Sequence, residues 1–199
     1  MQISSSMPSE YYSDNEFFDR ILPNRYQKLS SLHWTPIAVA KKAAAFLSPA
    51  PGTRILDIGS GVGKFCIAGA HHFPDSDFYG VEQRKDLVDC AVRIKEISKL
   101  SNVHFLHGNF TELNMEEYDS FYFFNSFYEN LAVIAHIDDS IEFSVSLYIY
   151  YCNYLYQALE RKPAGTRLVT FHGSEDEIPA SYKMVEQHMD KMLKMWIKR

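Results

Sequence analysis

The stretch Arg54-Ile55-Leu56-Asp57-Ile58-Gly59-Ser60-Gly61-Val62-Gly63-Lys64 holds an apolar run, an acid and three alternate glycines. Ile55, Leu56 and Ile58 lack the polar alternation of a half-exposed strand, which predicts a parallel strand buried on both faces. Glycine tolerates positive φ and has no Cβ, so the chain after this strand can turn sharply against a ligand. Residues 64–70 have helical character. The segment therefore predicts a strand, a glycine turn that binds a cofactor, and a helix.

Spacing distinguishes three kinds of nucleotide-binding loop that share this pattern. A Walker A loop requires Ser or Thr after its Gly-Lys pair, whereas Gly63-Lys64 is followed by Phe65. The dinucleotide fingerprint, started at Gly59, requires a glycine where the chain has Lys64. The pattern that fits without exception is acid-x-Gly-x-Gly-x-Gly, which begins at Asp57.

This pattern resembles motif I of the class I, seven-strand S-adenosylmethionine-dependent methyltransferases, and the resemblance extends over residues 34–199. It implies an α/β fold: a three-layer sandwich around a mostly parallel seven-stranded sheet, in the order 3-2-1-4-5-7-6, with a C-terminal antiparallel hairpin. It also implies an enzyme that uses S-adenosyl-L-methionine. In the cofactor site alone, the sequence is similar to the non-SET histone lysine methyltransferases, whose basic docking regions are missing here.

We predict one methyltransferase domain over residues 14–199, preceded by a flexible tail over residues 1–13, which are polar and poor in aliphatic side chains. Within the domain, residues 14–48 are predicted as an N-terminal helical cap and residues 54–199 as the Rossmann-like core. In the cap, two helices are predicted to begin at N-cap residues. These N-caps are Asp14 and Thr35.

The core is predicted to alternate strands and helices. The predicted strands are residues 54–57, 78–82, 103–107, 118–124 and 167–172, and the predicted helices are residues 64–72, 86–100 and 140–159. The last segment fits either a helix face or two alternating strands. The resemblance favours strands over residues 182–189 and 192–198.

The resemblance also implies roles for residues at the carboxyl ends of the strands, where open parallel sheets bind ligands. Glu82 ends the second strand and is placed to accept hydrogen bonds from ribose hydroxyls. Asp57 is placed to accept from the amino group of the methionine moiety. The helix start near Gly63 is placed to bind the carboxylate of the methionine moiety. The predicted cofactor-binding residues are Trp34, Thr35, Asp57, Gly59, Ser60, Gly61, Gly63, Glu82, Gln83, Asn109, Phe110 and Asn125.

The loop after the fourth strand is the predicted place of catalysis. Its residues Asn125-Ser126-Phe127-Tyr128 resemble, without the two prolines, the Asn-Pro-Pro-aromatic loop of amino-group methyltransferases. We predict Asn125, Tyr128 and Glu129 as catalytic residues, because methyl transfer depends largely on holding a nucleophile's lone pair behind the methyl group. The implied acceptor is a nitrogen nucleophile on an unidentified protein or small molecule. The alternatives are a non-catalytic S-adenosylmethionine-binding sensor or partner subunit, and a nicotinamide-dependent reductase.

Composition limits the partners. The net charge of −5 and a pI near 5.9 provide no overall basic field, so we expect no nucleic-acid partner. No apolar stretch approaches the ~20 residues of a membrane helix, and the first ten residues do not resemble a signal peptide. The three cysteines are widely spaced and predicted to be reduced, and no Cys/His spacing predicts a metal site. We expect a cytoplasmic protein, and the sequence leaves its oligomeric state open.

Overall fold

A seven-stranded sheet forms the middle layer of the computed structural model, which describes residues 7–131 and 136–199. The strands are β1 (Arg54–Ile58), β2 (Asp77–Glu82), β3 (Val103–His107), β4 (Ser120–Phe123), β5 (Arg167–Phe171), β6 (Tyr182–His188) and β7 (Leu193–Lys198). The α-helices of the described residues are α1 (Asn15–Asp19), α2 (Asn24–Gln27), α3 (Ser30–His33), α4 (Ile37–Leu47), α5 (Lys64–His72), α6 (Lys85–Ser98) and α7 (Val145–Arg161).

The strand order is β3-β2-β1-β4-β5-β7-β6, as predicted. Strands β1 to β5 are parallel, and β7 is antiparallel to both β5 and β6. Because β1 lies between β2 and β4, the direction in which the chain adds strands reverses there. Such a switch point opens a crevice at the carboxyl ends of the strands.

Both faces of the sheet are buried, which explains why the central strands are apolar without alternation. Ile55 and Tyr122 belong to the core on the side of α4, α5 and α6. Leu56 and Phe121 belong to the opposite core, which α7 completes. The third layer therefore depends on α7, and the three layers confirm the predicted sandwich.

The C-terminal segment forms the predicted hairpin of β6 and β7 rather than a helix. Three consecutive residues with positive φ, Met189, Asp190 and Lys191, make the turn. Leu193 and Met195 are buried on one face of β7. The alternation of buried and less buried residues in this strand therefore matches the structure, and the helical spacing that the same residues also fit does not.

The predicted flexible tail requires a correction. Residues 1–6 lie outside the described residues, but Ser9–Tyr12 forms a 3-10 helix. The Tyr12 ring is 1% exposed and stacks on His71 with 3.8 Å between centroids, and its carbonyl oxygen lies 2.9 Å from His72 Nε2. The described part of the predicted tail therefore packs on the domain through Tyr12, and Met7 is also buried.

The two predicted helix caps have different outcomes. Asp14 caps α1 as predicted, since its carboxylate accepts a hydrogen bond from Glu16 N at 2.7 Å. Thr35 does not cap α4: the N-cap position belongs to Pro36, and Thr35 Oγ1 instead pairs with the Tyr122 hydroxyl at 3.0 Å. The side chain of Asn15 accepts from Ile37 N at 2.7 Å and so replaces the missing cap.

Several core elements differ from their predicted bounds by one or two residues, and α7 differs by more. β4 is shorter than the predicted strand over residues 118–124, and α7 begins five residues after the predicted start at residue 140. The start of α7 is set by Ser144, whose hydroxyl accepts from Leu147 N. None of the helices in the described ranges is both long and apolar enough to cross a membrane.

Candidate functional site

A cleft of about 1210 Å³, including its open mouth, lies at the carboxyl ends of β1, β2 and β4. It collects most of the predicted site residues from five separate parts of the chain. The predicted residues that line it are Trp34, Thr35, Asp57, Gly59, Ser60, Gly61, Glu82, Gln83, Phe110, Asn125, Tyr128 and Glu129.

The glycine turn forms the floor of the cleft and is covered on two sides. Gly59 and Gly61 have φ values of 77° and 53°. A Cβ on Gly61 would lie 2.6 Å from the Trp34 ring, and one on Gly59 would lie 2.5 Å from Ser126 Oγ. Both positions therefore require glycine. Trp34 is fixed in place because its indole N–H donates to the Tyr26 carbonyl at 2.8 Å.

Glu82 ends β2 beside the glycine turn and is 6% exposed. Its two carboxylate oxygens accept from backbone amides, Oε2 from Gly61 N at 3.1 Å and Oε1 from Arg84 N at 2.9 Å. Burial raises the pKa of Glu82, although these hydrogen bonds oppose the effect. Each oxygen keeps acceptor capacity, so the carboxylate can still receive hydroxyl groups of a ligand.

Asp57 lies in β1, one residue before the strand ends, and is 3% exposed. Its one side-chain partner is the Cys66 thiol, with Sγ 3.6 Å from Oδ2, among the described residues. Burial raises the pKa of Asp57 to about 8, and the neighbouring charge of Glu82 adds to the shift. A ligand cation beside this carboxyl would stabilise its ionised form.

Two predicted cofactor-binding residues lie behind the cleft wall. Asn109 donates to Gln83 Oε1 at 3.3 Å and to the Tyr151 hydroxyl at 2.9 Å, so its amide positions Gln83 rather than facing the cleft. Gly63 packs against β3 and α6, since a Cβ there would lie 2.4 Å from the Phe105 ring. This glycine allows α5 to start close to the sheet.

Arg84 is a cleft residue that the sequence analysis missed. Its guanidinium, 4% exposed, lies 2.6 Å from Glu129 Oε2, 3.0 Å from Asp138 Oδ1 and 3.9 Å from Glu82 Oε1. Burial alone would lower the pKa of Arg84, but the three carboxylates outweigh it and raise this pKa. The predicted catalytic Glu129 is therefore held in an ion pair.

Ser126 is a second residue that the sequence analysis left without a role. Its hydroxyl donates to the Ile58 carbonyl at 2.7 Å and joins the loop after β4 to the glycine turn. Asn125, one residue earlier, has a φ of 42°, an uncommon left-handed conformation. The Asn125 side chain lines the cleft and has no hydrogen-bond partner within residues 7–131 and 136–199.

The methyltransferase domain family matches residues 49–196, from the start of the central core to the last strand. The chain belongs to this family. The match covers most of the chain and confirms the predicted class I methyltransferase and its cofactor, S-adenosylmethionine. The seven-strand sheet with its C-terminal hairpin agrees with the assignment.

Curated relatives of this methyltransferase domain match over short stretches. A tRNA (guanine-N(7)-)-methyltransferase of Synechococcus sp. (strain JA-3-3Ab) is 48% identical over 54 residues, 27% of this chain and 23% of the relative. A release factor glutamine methyltransferase of Buchnera aphidicola is 32% identical over 70 residues, 35% of this chain and 25% of the relative. The matched part spans about a quarter of the length of each.

Solved structures share the fold. TrmN from Thermus thermophilus superposes with a TM-score of 0.60 at 17% identity, over 87% of this chain and 51% of that chain. An RNA methyltransferase from Salinibacter ruber in complex with S-adenosyl-L-homocysteine superposes with a TM-score of 0.58 at 18% identity, over 82% of this chain and 92% of that chain. At these identities the similarity shows the fold alone.

The residues of the cleft fit S-adenosylmethionine. Ser60 Oγ is buried and has no hydrogen-bond partner within the described ranges, as expected where a ligand completes a site. The first turn of α5 has no side-chain cap, so its amides are available to a carboxylate. The described parts of the chain contain no cluster of three or more His, Cys, Asp or Glu side chains arranged for a metal ion.

Proposed function

We propose that this chain transfers a methyl group from S-adenosylmethionine to a nitrogen nucleophile on a protein or a small molecule. The observation that carries the proposal is the position of Asn125. Its free side chain lies in the cleft beside the glycine turn, to which Ser126 ties the loop. A carboxamide oxygen there can accept an N–H of the acceptor and so orient the nitrogen lone pair.

The bound cofactor supplies an electrophilic methyl group on a positively charged sulfur. In this proposal Glu82 holds the ribose hydroxyls, and Asp57 holds the amino group and faces the positive charge. Trp34 covers the glycine turn, and Phe110, stacked on Phe127 at 5.1 Å, closes the opposite wall. These aromatic side chains exclude water from the reacting groups.

Charge in the cleft favours a neutral or cationic acceptor over a polyanion. The lysine and arginine side chains that line it in the described residues are Lys64 and Arg84, and both are buried. Lys64 forms an ion pair with Asp19 at 2.8 Å, and Arg84 forms one with Glu129 at 2.6 Å. Neither cation is available to a phosphate, whereas the exposed Glu142 at the cleft attracts an amine.

The free cysteines are consistent with the proposed cytoplasmic location.

RNA is the second candidate acceptor, because two of the similar proteins described above are a tRNA and an RNA methyltransferase. We test the acceptor class by incubating the protein with tritium-labelled S-adenosylmethionine and separate protein, RNA and small-molecule fractions of a cell extract. Our proposal expects label in the protein or small-molecule fraction. Label confined to RNA, and released by ribonuclease, would support the second candidate instead.

The Asn125→Ala variant separates catalysis from binding. We expect turnover to fall by about 10²–10³-fold, the loss typical of an orienting polar side chain, while the Kd for S-adenosylhomocysteine stays within about threefold. Asn125→Gly is the matched control for the backbone, because glycine keeps the left-handed conformation without the amide. Both variants should be equally inactive. Full activity in Asn125→Gly would remove Asn125 from the mechanism, and an inactive wild type that binds the cofactor would favour the sensor alternative.

A further inference from the structure

His33 is a cleft residue to which the proposed function assigns no role. It is the last residue of α3 and directly precedes Trp34, whose ring covers Gly61. Its imidazole is half-buried and lines the cleft together with Asn125 and Tyr128. A titratable group thus lines the same cleft as the loop that is proposed to orient the acceptor.

Three carboxyl groups close to the cofactor residues already have partners. Asp57 meets the Cys66 thiol, Glu82 accepts two backbone amides, and Glu129 pairs with Arg84. The His33 imidazole has no hydrogen bond or ion pair within residues 7–131 and 136–199. It is therefore available to a group that enters the cleft.

The surroundings of His33 keep its imidazole neutral. Burial lowers the pKa of His33 below the ordinary value of 6.5. The charged groups that face it are Glu129, which opposes this shift, and Arg84, which adds to it. At neutral pH a ring nitrogen therefore carries a free lone pair, and the Glu129 carboxylate is close enough to stabilise the ring once it is protonated.

We propose that His33 accepts the proton that the acceptor nitrogen loses during methyl transfer, an inference that rests on the proposed function. The nitrogen lone pair forms the new N–C bond, and the electron pair of the broken C–S bond stays on sulfur, which becomes neutral. The N–H proton passes to the free ring nitrogen of His33 and from there to water. Each charge and each proton is accounted for by these three transfers.

This assignment revises the predicted role of Glu129. Its carboxylate accepts a hydrogen bond from the Arg84 guanidinium at 2.6 Å, so this oxygen is already engaged by a cation. Burial within an ion pair instead fixes its position near His33. Glu129 is thus a positioning residue, and His33 is the catalytic one.

The test compares His33→Gln and His33→Ala with the wild type on the fraction that incorporates tritium. We expect kcat to fall by about 10²-fold or more, within the range of general base catalysis, while calorimetry gives an unchanged Kd for S-adenosylhomocysteine. The wild-type kcat should decline below the pKa of His33, and this acid limb should be absent in His33→Gln. Imidazole added to the buffer should restore part of the activity of His33→Ala. His104→Gln, on the edge strand β3, is the control and should behave as the wild type.

Three results would overturn the inference, and a fourth would overturn the proposed function on which it rests. An unchanged kcat and acid limb in His33→Gln would show that His33 takes no proton, and loss of S-adenosylhomocysteine binding in that variant would place His33 in the cofactor site. NMR titration gives a readout without turnover: an imidazole of His33 that is protonated at pH 7 could not act as the base. A wild type that binds the cofactor but methylates no fraction would instead defeat the proposed function itself.

Discussion

The Asp57→Asn variant is expected to melt at a higher temperature than the wild type at pH 8 without ligand, and to lose its affinity for S-adenosylhomocysteine. Burial raises the pKa of the folded-state carboxyl to about 8 from 3.8. Between these values the unfolded chain releases a proton that the folded chain keeps. The free energy of unfolding of the wild type therefore falls as pH rises through this window, by at most ~1.4 kcal/mol per pKa unit. Above pH 8 it levels off.

Asparagine has nearly the same volume as aspartate and no charge, so the stability of Asp57→Asn should not decline between pH 5 and 8. Thermal denaturation from pH 5 to 8 measures the difference, with Asp75→Asn, an exposed carboxylate before β2, as the control. Binding to the wild type at pH 7 should also release protons, since a cationic amino group favours the ionised Asp57. Equal pH profiles for wild type and Asp57→Asn would contradict the described environment of Asp57.

The Arg84→Ala variant is expected to lose about 3–5 kcal/mol of the free energy of unfolding at pH 7, because it leaves buried carboxylates without their cation. Glu82 and Glu129 have side chains only 7% and 15% exposed, so their charges would be poorly solvated. The folded-state pKa of Glu82, which burial raises and Arg84 lowers, should then rise further. The deficit of the variant is therefore largest at neutral pH and shrinks as pH falls and the carboxylates are protonated.

Urea denaturation of Arg84→Ala measures this loss, and Arg93→Ala, an exposed arginine on α6, is the matched control. Adding Glu129→Gln to Arg84→Ala should recover part of the stability, since it removes one of the unpaired charges. Arg84→Ala should also weaken cofactor binding, because it unties the loop after β4 from β2, and the double variant should not restore this affinity. Arg84→Ala with wild-type stability would contradict the ion-pair network.

The parts of the site that follow from backbone conformation were predictable from sequence. Gly59 and Gly61 occupy positions that only glycine fits, and the strand before them is apolar because both sheet faces are covered. The position of Glu82 follows from the regular length of a strand-turn-helix-strand unit. The strand order and the hairpin were predicted from the resemblance to the family. Periodicity alone allowed either a helix or two strands for the C-terminal segment.

Long-range side-chain contacts were not predictable in the same way. Arg84 pairs with residues 45 and 54 positions away along the chain, and Thr35 gives up a local cap for a partner 87 positions away. Asn109 was predicted to bind the cofactor, and its amide instead donates to Gln83 and Tyr151. In each case the hydrogen-bond partner depends on tertiary packing, and the neighbouring sequence does not indicate which partner it is.

Calorimetric titration of this chain with S-adenosylhomocysteine and with NAD distinguishes an S-adenosylmethionine site from a dinucleotide site. The cleft is predicted to bind S-adenosylhomocysteine and to give no heat with NAD, because Lys64 interrupts the dinucleotide fingerprint. Glu82→Ala should abolish the binding. Binding of NAD in place of S-adenosylhomocysteine would contradict the assignment of the cofactor, and undiminished binding of S-adenosylhomocysteine by Glu82→Ala would contradict the role of Glu82.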